Sequence, residues 1–248
     1  IVTYSIMLQK SLEAARILNK DFWAMSSSEN EDINQTINTQ PLMLTAGVAT
    51  WRYLQENNLD SPSFIAGHSL GEFTALVAAN SLTFESALKI VTKRAELMQN
   101  AVPYNKGGMA AIIGLEDEKV IDICKQEQGE GVLQAVNFNS PGQIVIAGSK
   151  NILEKSLEIF KNAGAKRAIL LPVSVPSHSK LMKPASILFG DYLNKINFNL
   201  PKFPIIQNFE AVYYNDLDKI KLALVQQLFN PVRWTQTIKF LSEKGINL

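Results

Sequence analysis

Along the first hundred residues, stretches with helical spacing alternate with short polar breaks. Residues 5–20 repeat apolar side chains at helical intervals and predict a first helix, followed by a polar stretch over 26–38. Thr39-Gln40-Pro41 opens a second helix running to about Glu56, with proline at an early position where its missing N–H costs nothing. Residues 57–62 have the Asn, Asp, Ser and Pro content of a loop. Ser63-Phe64-Ile65-Ala66 reads as a short buried strand entering Gly67-His68-Ser69, and residues 72–79 read as the helix that follows. Another helix is expected over about 84–102, with Thr83 as its N-cap and Glu85 in its first turn.

Residues 107–173 carry a second pattern. Strands are expected at 108–113, 132–138, 143–147 and 168–173, and helices at 117–128 and 151–163, the latter ending at Gly164. Asn139-Ser140-Pro141-Gly142 is the turn between the two middle strands. The order β-α-β-β-α-β predicts a ferredoxin-like subdomain over 104–173, inserted into a larger α/β domain built from 1–103 and 174–248. No internal repeat or low-complexity tract is present. Ile1-Val2-Thr3-Tyr4 starts in mid-pattern without an initiator methionine, and Gly245-Ile246-Asn247-Leu248 reads like the approach to a strand. Both ends are expected of a fragment.

Composition narrows the chemistry. The 248 residues are 46% apolar and 19% charged, which is ordinary for a soluble globular chain. With 24 basic and 23 acidic residues, the formal charge of +1 supplies no strong field for nucleic acid or an anionic membrane. The most apolar stretch, 64–82, is interrupted by His68, Glu72 and Asn80, so no transmembrane segment is expected, and the N-terminus is not a signal peptide. One cysteine, Cys124, excludes a disulfide framework, and two histidines leave little material for a metal site. A reducing, cytoplasmic compartment fits.

Gly67-His68-Ser69-Leu70-Gly71 between a strand and a helix matches the nucleophile elbow, in which serine sits on a sharp turn with glycines beside it to avoid clashes. The following helix aims backbone N–H groups at the site, where they can stabilise an oxyanion. The plainer reading is a strand-to-helix turn with a capping serine. With an elbow, the larger domain is expected to be α/β-hydrolase-like with a mostly parallel sheet. A serine nucleophile needs a base. His68 adjoins Ser69 on a tight turn and should point away from it, either bonding within the turn or lining the pocket. His178, in the loop after the strand at 168–173, is then the base by elimination. An acid to orient it is not evident between serine and histidine, and a carbonyl can serve instead.

Arg94 is misplaced for a surface residue. At 100° per residue, Phe84, Ala87, Leu88, Val91, Ala95 and Met98 share one helix face, and Arg94 falls inside that apolar arc while Lys89, Lys93 and Glu96 lie opposite. A guanidinium there must find an anion or several acceptors. Two readings stand: a structural ion pair or an arginine snorkelling to the edge, and a bidentate clamp for a substrate carboxylate.

With those residues assembled, the chain resembles the malonyl-CoA:acyl carrier protein transacylases of bacterial fatty acid synthesis. The likeness rests on Gly67-His68-Ser69-Leu70-Gly71-Glu72, Lys93-Arg94-Ala95-Glu96-Leu97-Met98-Gln99 and Thr39-Gln40-Pro41. It extends to 108–114, 136–143, 173–178 and 227–234, in the same order. The resemblance implies that Ser69 takes malonyl from malonyl-CoA as an ester and passes it to the phosphopantetheine thiol of holo acyl carrier protein. It implies His178 as base and then acid, Arg94 as partner of the malonyl carboxylate, the Gln227 carbonyl as orienting group and the Leu70 N–H as half of the oxyanion hole. No cofactor and no metal are implied, and a monomer is the expected state. The family's Gly-Gln-Gly-Ser-Gln and Gly-Pro-Gly segments are absent from this chain, as expected of truncation at each end. A serine esterase or thioesterase, which needs an acidic triad member but no Arg94, is one rival; an inactive binding module is the other. Lys166, Arg167, Lys180 and Lys183 could meet an acidic carrier or simply be solvated surface.

Overall fold

Apolar side chains gather in two main cores, and each core has its own sheet. In the computed structural model, which describes residues 2–27, 33, 35–58, 60–173 and 175–246, the fold is of the α/β class. The first core begins with helices α1 (Val2–Leu18), α2 (Phe22–Ser27) and α3 (Thr36–Glu56). Strand β1 (Ile65–Ala66) then leads into α4 (Gly71–Ala78), and α5 (Phe84–Asn100) follows. The chain next forms β2 (Gly107–Ile113), α6 (Asp117–Glu127), β3 (Leu133–Ser140), β4 (Gln143–Ser149), α7 (Lys150–Asn162) and β5 (Arg167–Leu170). It returns to the first core through α8 (Lys183–Leu193), β6 (Ile205–Gln207), β7 (Val212–Tyr213), α9 (Leu217–Gln227) and α10 (Trp234–Glu243). Ile1, Asn247 and Leu248 of the expected termini, most of the polar stretch at 28–34, Leu59 and Ser174 lie outside the described residues. No helix among the described residues is long and apolar enough to cross a membrane.

Helix α5 forms as its pattern demands. Thr83 Oγ1 accepts the Ser86 N–H at 3.1 Å, a cap that stabilises by about 1 kcal/mol. Phe84, Leu88, Val91 and Met98 are buried while the Lys89–Glu85 pair stays at the surface. Helix α3 departs from expectation. It starts at Thr36, so Pro41 stands in its second turn and denies the Ile37 carbonyl an N–H. Proline there is tolerated because α3 packs against α1, α4 and α5.

The sheet of the first core has the order β1-β6-β7, with β1 parallel to β6 and β7 antiparallel to it. Of its two pairings, one is therefore parallel and one antiparallel, where a mostly parallel sheet was expected. The second sheet is antiparallel in the order β3-β4-β2-β5. Its apolar runs are buried on both faces: Ala110, Ile112, Ile144 and Ile146 pack under α6 and α7, and the alternate Met109, Val136, Val145 and Ala147 form a smaller cluster on the other side.

Two boundaries in this second sheet differ from expectation. Strand β3 runs through Ser140, leaving a tight Pro141-Gly142 turn in which Gly142 takes φ +73°. Strand β5 ends at Leu170, because Leu171 donates one more bond to Met109 and Pro172 then has no N–H to give.

The two cores meet along β3. The Phe138 N–H donates to the Val232 carbonyl at 3.0 Å and the Val232 N–H to the Val136 carbonyl at 2.8 Å. Near this seam Gly107 lets the Pro176 loop approach: a Cβ on Gly107 would lie 2.5 Å from the proline ring. That contact carries the chain from β5 across to His178.

Candidate active site

Ser69 stands between β1 and α4 with φ +51°, a conformation unfavourable for a residue with a Cβ. Such strain costs on the order of 1–3 kcal/mol and persists only where neighbours over-determine it. Asn208, just beyond β6, supplies much of that restraint. Its Oδ1 accepts the Ser69 N–H at 2.5 Å and its Nδ2 donates to the Gly67 carbonyl at 2.8 Å. The turn also closes on itself, with Gly71 N–H on the His68 carbonyl at 2.9 Å. Gly67 is sterically required, since a Cβ there would sit 2.1 Å from the Gly71 carbonyl group. Gly71 is not: a Cβ on it would meet nothing within 4 Å, which corrects the expectation that both flanking glycines relieve crowding. Leu70 caps α4, and its N–H has no partner among the described residues.

His178 Nε2 lies 2.8 Å from Ser69 Oγ, and Nδ1 lies 2.6 Å from the Gln227 carbonyl at the end of α9. A carbonyl only accepts, so Nδ1 carries the hydrogen and Nε2 presents its lone pair to the serine. His178 is 3% exposed and has φ +64°, fixed by its own N–H on the Leu228 carbonyl at 3.0 Å. Burial, and next the Arg94 charge, push its pKa down to about 3 against the pull of the Gln227 carbonyl. The imidazole is therefore neutral at neutral pH, with its Nε2 lone pair free to accept the serine proton. The acidic third member that an esterase triad requires is not its partner; a backbone carbonyl is.

Arg94 is 2% exposed. Its Nη1 donates to Gln40 Oε1 at 2.7 Å, and its Nη2 to Gln227 Oε1 at 2.8 Å and Ser69 Oγ at 3.3 Å. The Phe73 ring faces the guanidinium, 5.6 Å from centroid to Cζ. Burial lowers the Arg94 pKa to about 10, opposed by Glu72, so the guanidinium stays charged at neutral pH. Neither plain reading of this arginine describes it: no carboxylate lies within ion-pair distance among the described residues, and the head group stays inside. A cavity of about 630 Å³ opens over Ser69 and Arg94, walled by Met43, Trp51, Leu54 and Met98.

His68 also lines this cavity, but it bonds away from the turn: Nε2 lies 2.9 Å from Asn139 Oδ1 of β3, and the ring leans on Trp234. Ser69, His178, Arg94 and Gln227 thus meet in one network, with Leu70 and His68 beside it. Sequence reasoning missed Asn208 and gave Gln40, Glu72 and Asn139 no task. Glu72 resembles an ordinary first-turn carboxylate, and Gln40 an ordinary helix residue. For Asn208 a signal existed, because Gln207-Asn208 follows the apolar pair Ile205-Ile206 at a strand end, where site residues gather in α/β folds.

A buried base on an elbow serine, an unengaged N–H beside it and a buried guanidinium define an enzyme site of the kind that carries acyl groups on serine. A family model described as the acyl transferase domain matches residues 22–247. The malonyl CoA-acyl carrier protein transacylase of Salmonella typhimurium is 45% identical over 244 residues, covering 98% of this chain and 79% of that protein. The solved malonyl CoA-acyl carrier protein transacylase of Coxiella burnetii matches with a TM-score of 0.95 at 42% identity, over 98% of this chain and 77% of that one. A solved complex of a type II PKS acyl-carrier protein with its malonyl-transacylase matches with a TM-score of 0.95 at 45% identity, over 98% and 79%. The chain belongs to the malonyl CoA-acyl carrier protein transacylases of the acyl transferase family.

Proposed function

We infer that the chain transfers a malonyl group from malonyl-CoA to the phosphopantetheine thiol of acyl carrier protein, in fatty acid synthesis, through an ester on Ser69. The observation that carries this reading is the Arg94 guanidinium 3.3 Å from Ser69 Oγ. A buried cation at that distance favours an acyl group bearing its own carboxylate. Gln40 and Gln227 each engage one terminal N–H, which leaves one on Nη1 and, once its contact with Ser69 Oγ is given up, one on Nη2 for the two carboxylate oxygens.

His178 Nε2 takes the Ser69 proton as Oγ attacks the thioester carbonyl, and the Gln227 carbonyl stabilises the imidazolium. The Leu70 N–H receives the developing oxyanion. Collapse expels the coenzyme A thiolate, which leaves with the proton from His178. The carrier's thiol then repeats the sequence in reverse order of roles, giving ping-pong kinetics.

On the same reading, residues 104–173 form a ferredoxin-like subdomain within an α/β-hydrolase-like catalytic domain, which the antiparallel order β3-β4-β2-β5 supports. The protein acts as a cytoplasmic monomer.

The test is malonyl-CoA with and without holo acyl carrier protein. We expect a malonyl adduct on Ser69 that the carrier discharges as malonyl-carrier, and no adduct on Ser69→Ala. Free malonate accumulating faster than malonyl-carrier would instead mark a hydrolase.

A further inference from the structure

The most deeply placed ionisable group in the site has no part in the steps above. Glu72 is 0% exposed. Its Oε2 accepts from Gln227 Nε2 at 2.8 Å and from the Asn208 N–H at 3.2 Å. Its Oε1 is buried without a partner among the described residues.

Glu72 and Arg94 do not touch; one amide stands between them. Gln227 donates through Nε2 to Glu72 and accepts through Oε1 from Arg94. Since the carboxylate takes only the donor end, Glu72 dictates which way the amide faces, and so presents its oxygen to the guanidinium. The other charged groups are remote or neutralised, including Arg52 and Glu56, which lie in the last five residues of α3, the helix packed along α4. Helix α4 has no second ionisable residue, and Asn208 and Gln207 beside it are uncharged. On α5, Lys89 and Lys93 pair with glutamates at the surface. On α8, which packs through Phe189 on Phe73, Lys183 and Asp191 are exposed. The charges of α9 sit in its first half, away from Gln227. His178 and His68 are both held toward neutrality by burial. Above pH 7 the resting site therefore holds one buried cation and, for the most part, one buried anion.

An acyl carboxylate arriving at Arg94 puts two carboxylates on one cation in a medium that screens poorly. Two such carboxylates resist being ionised together. We propose that Glu72 is the resident counter-charge of Arg94 and takes up a solvent proton when the malonyl carboxylate arrives, so that malonyl loading, resting on the reading above, is proton-coupled. The proton goes to Oε1, where it displaces no existing hydrogen bond, and Oε2 keeps both of its donors. The balance is malonyl-CoA, Ser69 hydroxyl, Glu72 carboxylate and one proton giving malonyl-Ser69, free coenzyme A thiol and neutral Glu72. Burial already holds the Glu72 pKa at about 7 before any substrate binds, within reach of a neighbouring negative charge. An acetyl group brings no carboxylate and calls for no proton.

The experiment follows proton uptake with an indicator dye in weak buffer at about pH 7.5, normalised to the malonyl-Ser69 found by mass spectrometry. With Glu72 at about 7 before loading, the wild-type protein at pH 7.5 should take up about three-quarters of a proton per malonyl-serine; acetyl-CoA loading and the Glu72→Gln variant should take up none. Glutamine at 72 keeps an acceptor for Gln227 and Asn208 and loses the charge, and with it the titration. Malonyl-serine forming without uptake, or uptake persisting in Glu72→Gln, overturns the proposal while leaving the transferase reading intact. Absence of any malonyl-serine sinks both. Should the variant fail to fold, the wild-type protein still decides. At a fixed ratio of malonyl-CoA to coenzyme A, the malonyl-serine fraction should fall with rising pH, its equilibrium constant dropping up to about tenfold per unit above pH 7. A flat profile there overturns the proposal.

Discussion

The Arg94 guanidinium lies 3.3 Å from Ser69 Oγ, although Ser69 sits in the turn before α4 and Arg94 in the interior of α5, and Arg94 has no ion pair among the described residues. The spacing places a fixed positive charge at the reach of a short diacid's second carboxylate once the first is esterified to Ser69. On the proposed function, that one contact would couple substrate choice to the covalent chemistry.

Arg94→Ala should therefore lower malonyl loading of Ser69 more than acetyl loading. A charge-assisted hydrogen-bonded contact is worth about 1.5–3 kcal/mol, or roughly 10- to 150-fold in the malonyl-to-acetyl ratio. Competition between the two coenzyme A thioesters, read by adduct mass, measures that ratio. An unchanged ratio would remove the clamp.

The elbow glycines should respond unequally. Gly67→Ala forces a methyl group to 2.1 Å from backbone atoms and should disrupt the turn, losing adduct formation and stability together. Gly71→Ala enters open space at the first position of α4 and should stay within about 1 kcal/mol of the wild type in denaturant unfolding. Equal effects of the two changes would contradict the geometry.

Asn208→Ala removes the acceptor for the Ser69 N–H and the donor to the Gly67 carbonyl, leaving both turn groups short of partners. We expect a stability loss of about 1–3 kcal/mol and a fall in kcat with KM nearly constant, because the residue positions the nucleophile and does not touch the acyl pocket. Steady-state kinetics beside denaturant unfolding separates the two quantities. A rise in KM at constant kcat is the contrary result.

His178 should show no protonation step near its ordinary 6.5, because its pKa in the folded protein is held down to about 3. The unfolded chain binds the extra proton first, so this group leaves stability untouched above 6.5 and lowers it progressively as pH falls from 6.5 toward 3. Glu72 acts oppositely: with its pKa raised to about 7, it lowers stability as pH climbs from 4.5 to 7. Imidazole NMR of the free protein checks the histidine, and a titration midpoint near 6.5 for His178 would refute its burial as a neutral base.

What the chain reveals by itself is local. A strand, a Gly67-His68-Ser69 turn and a helix occur in order, so the elbow is legible from neighbouring residues, and Arg94 stands out because helical periodicity places a charge on an apolar face. The β-α-β-β-α-β order of 107–173 is equally a matter of alternating periods. Boundaries failed where a neighbour decided them: α3 continues back past Pro41 because tertiary packing outweighs a lost hydrogen bond, and β5 stops where Pro172 ends the ladder. That Gly71 has room for a side chain while Gly67 does not is visible only once the turn is built. The network itself belongs wholly to the tertiary structure. Gln227 reaches His178, Arg94, Glu72 and Ser69 from α9, and Asn208 reaches the elbow from just beyond β6. Hydrogen bonds between residues 49 to 158 positions apart leave no period in the chain. Their donors and acceptors look like any polar residue until folding buries them together and leaves each with no partner but the others.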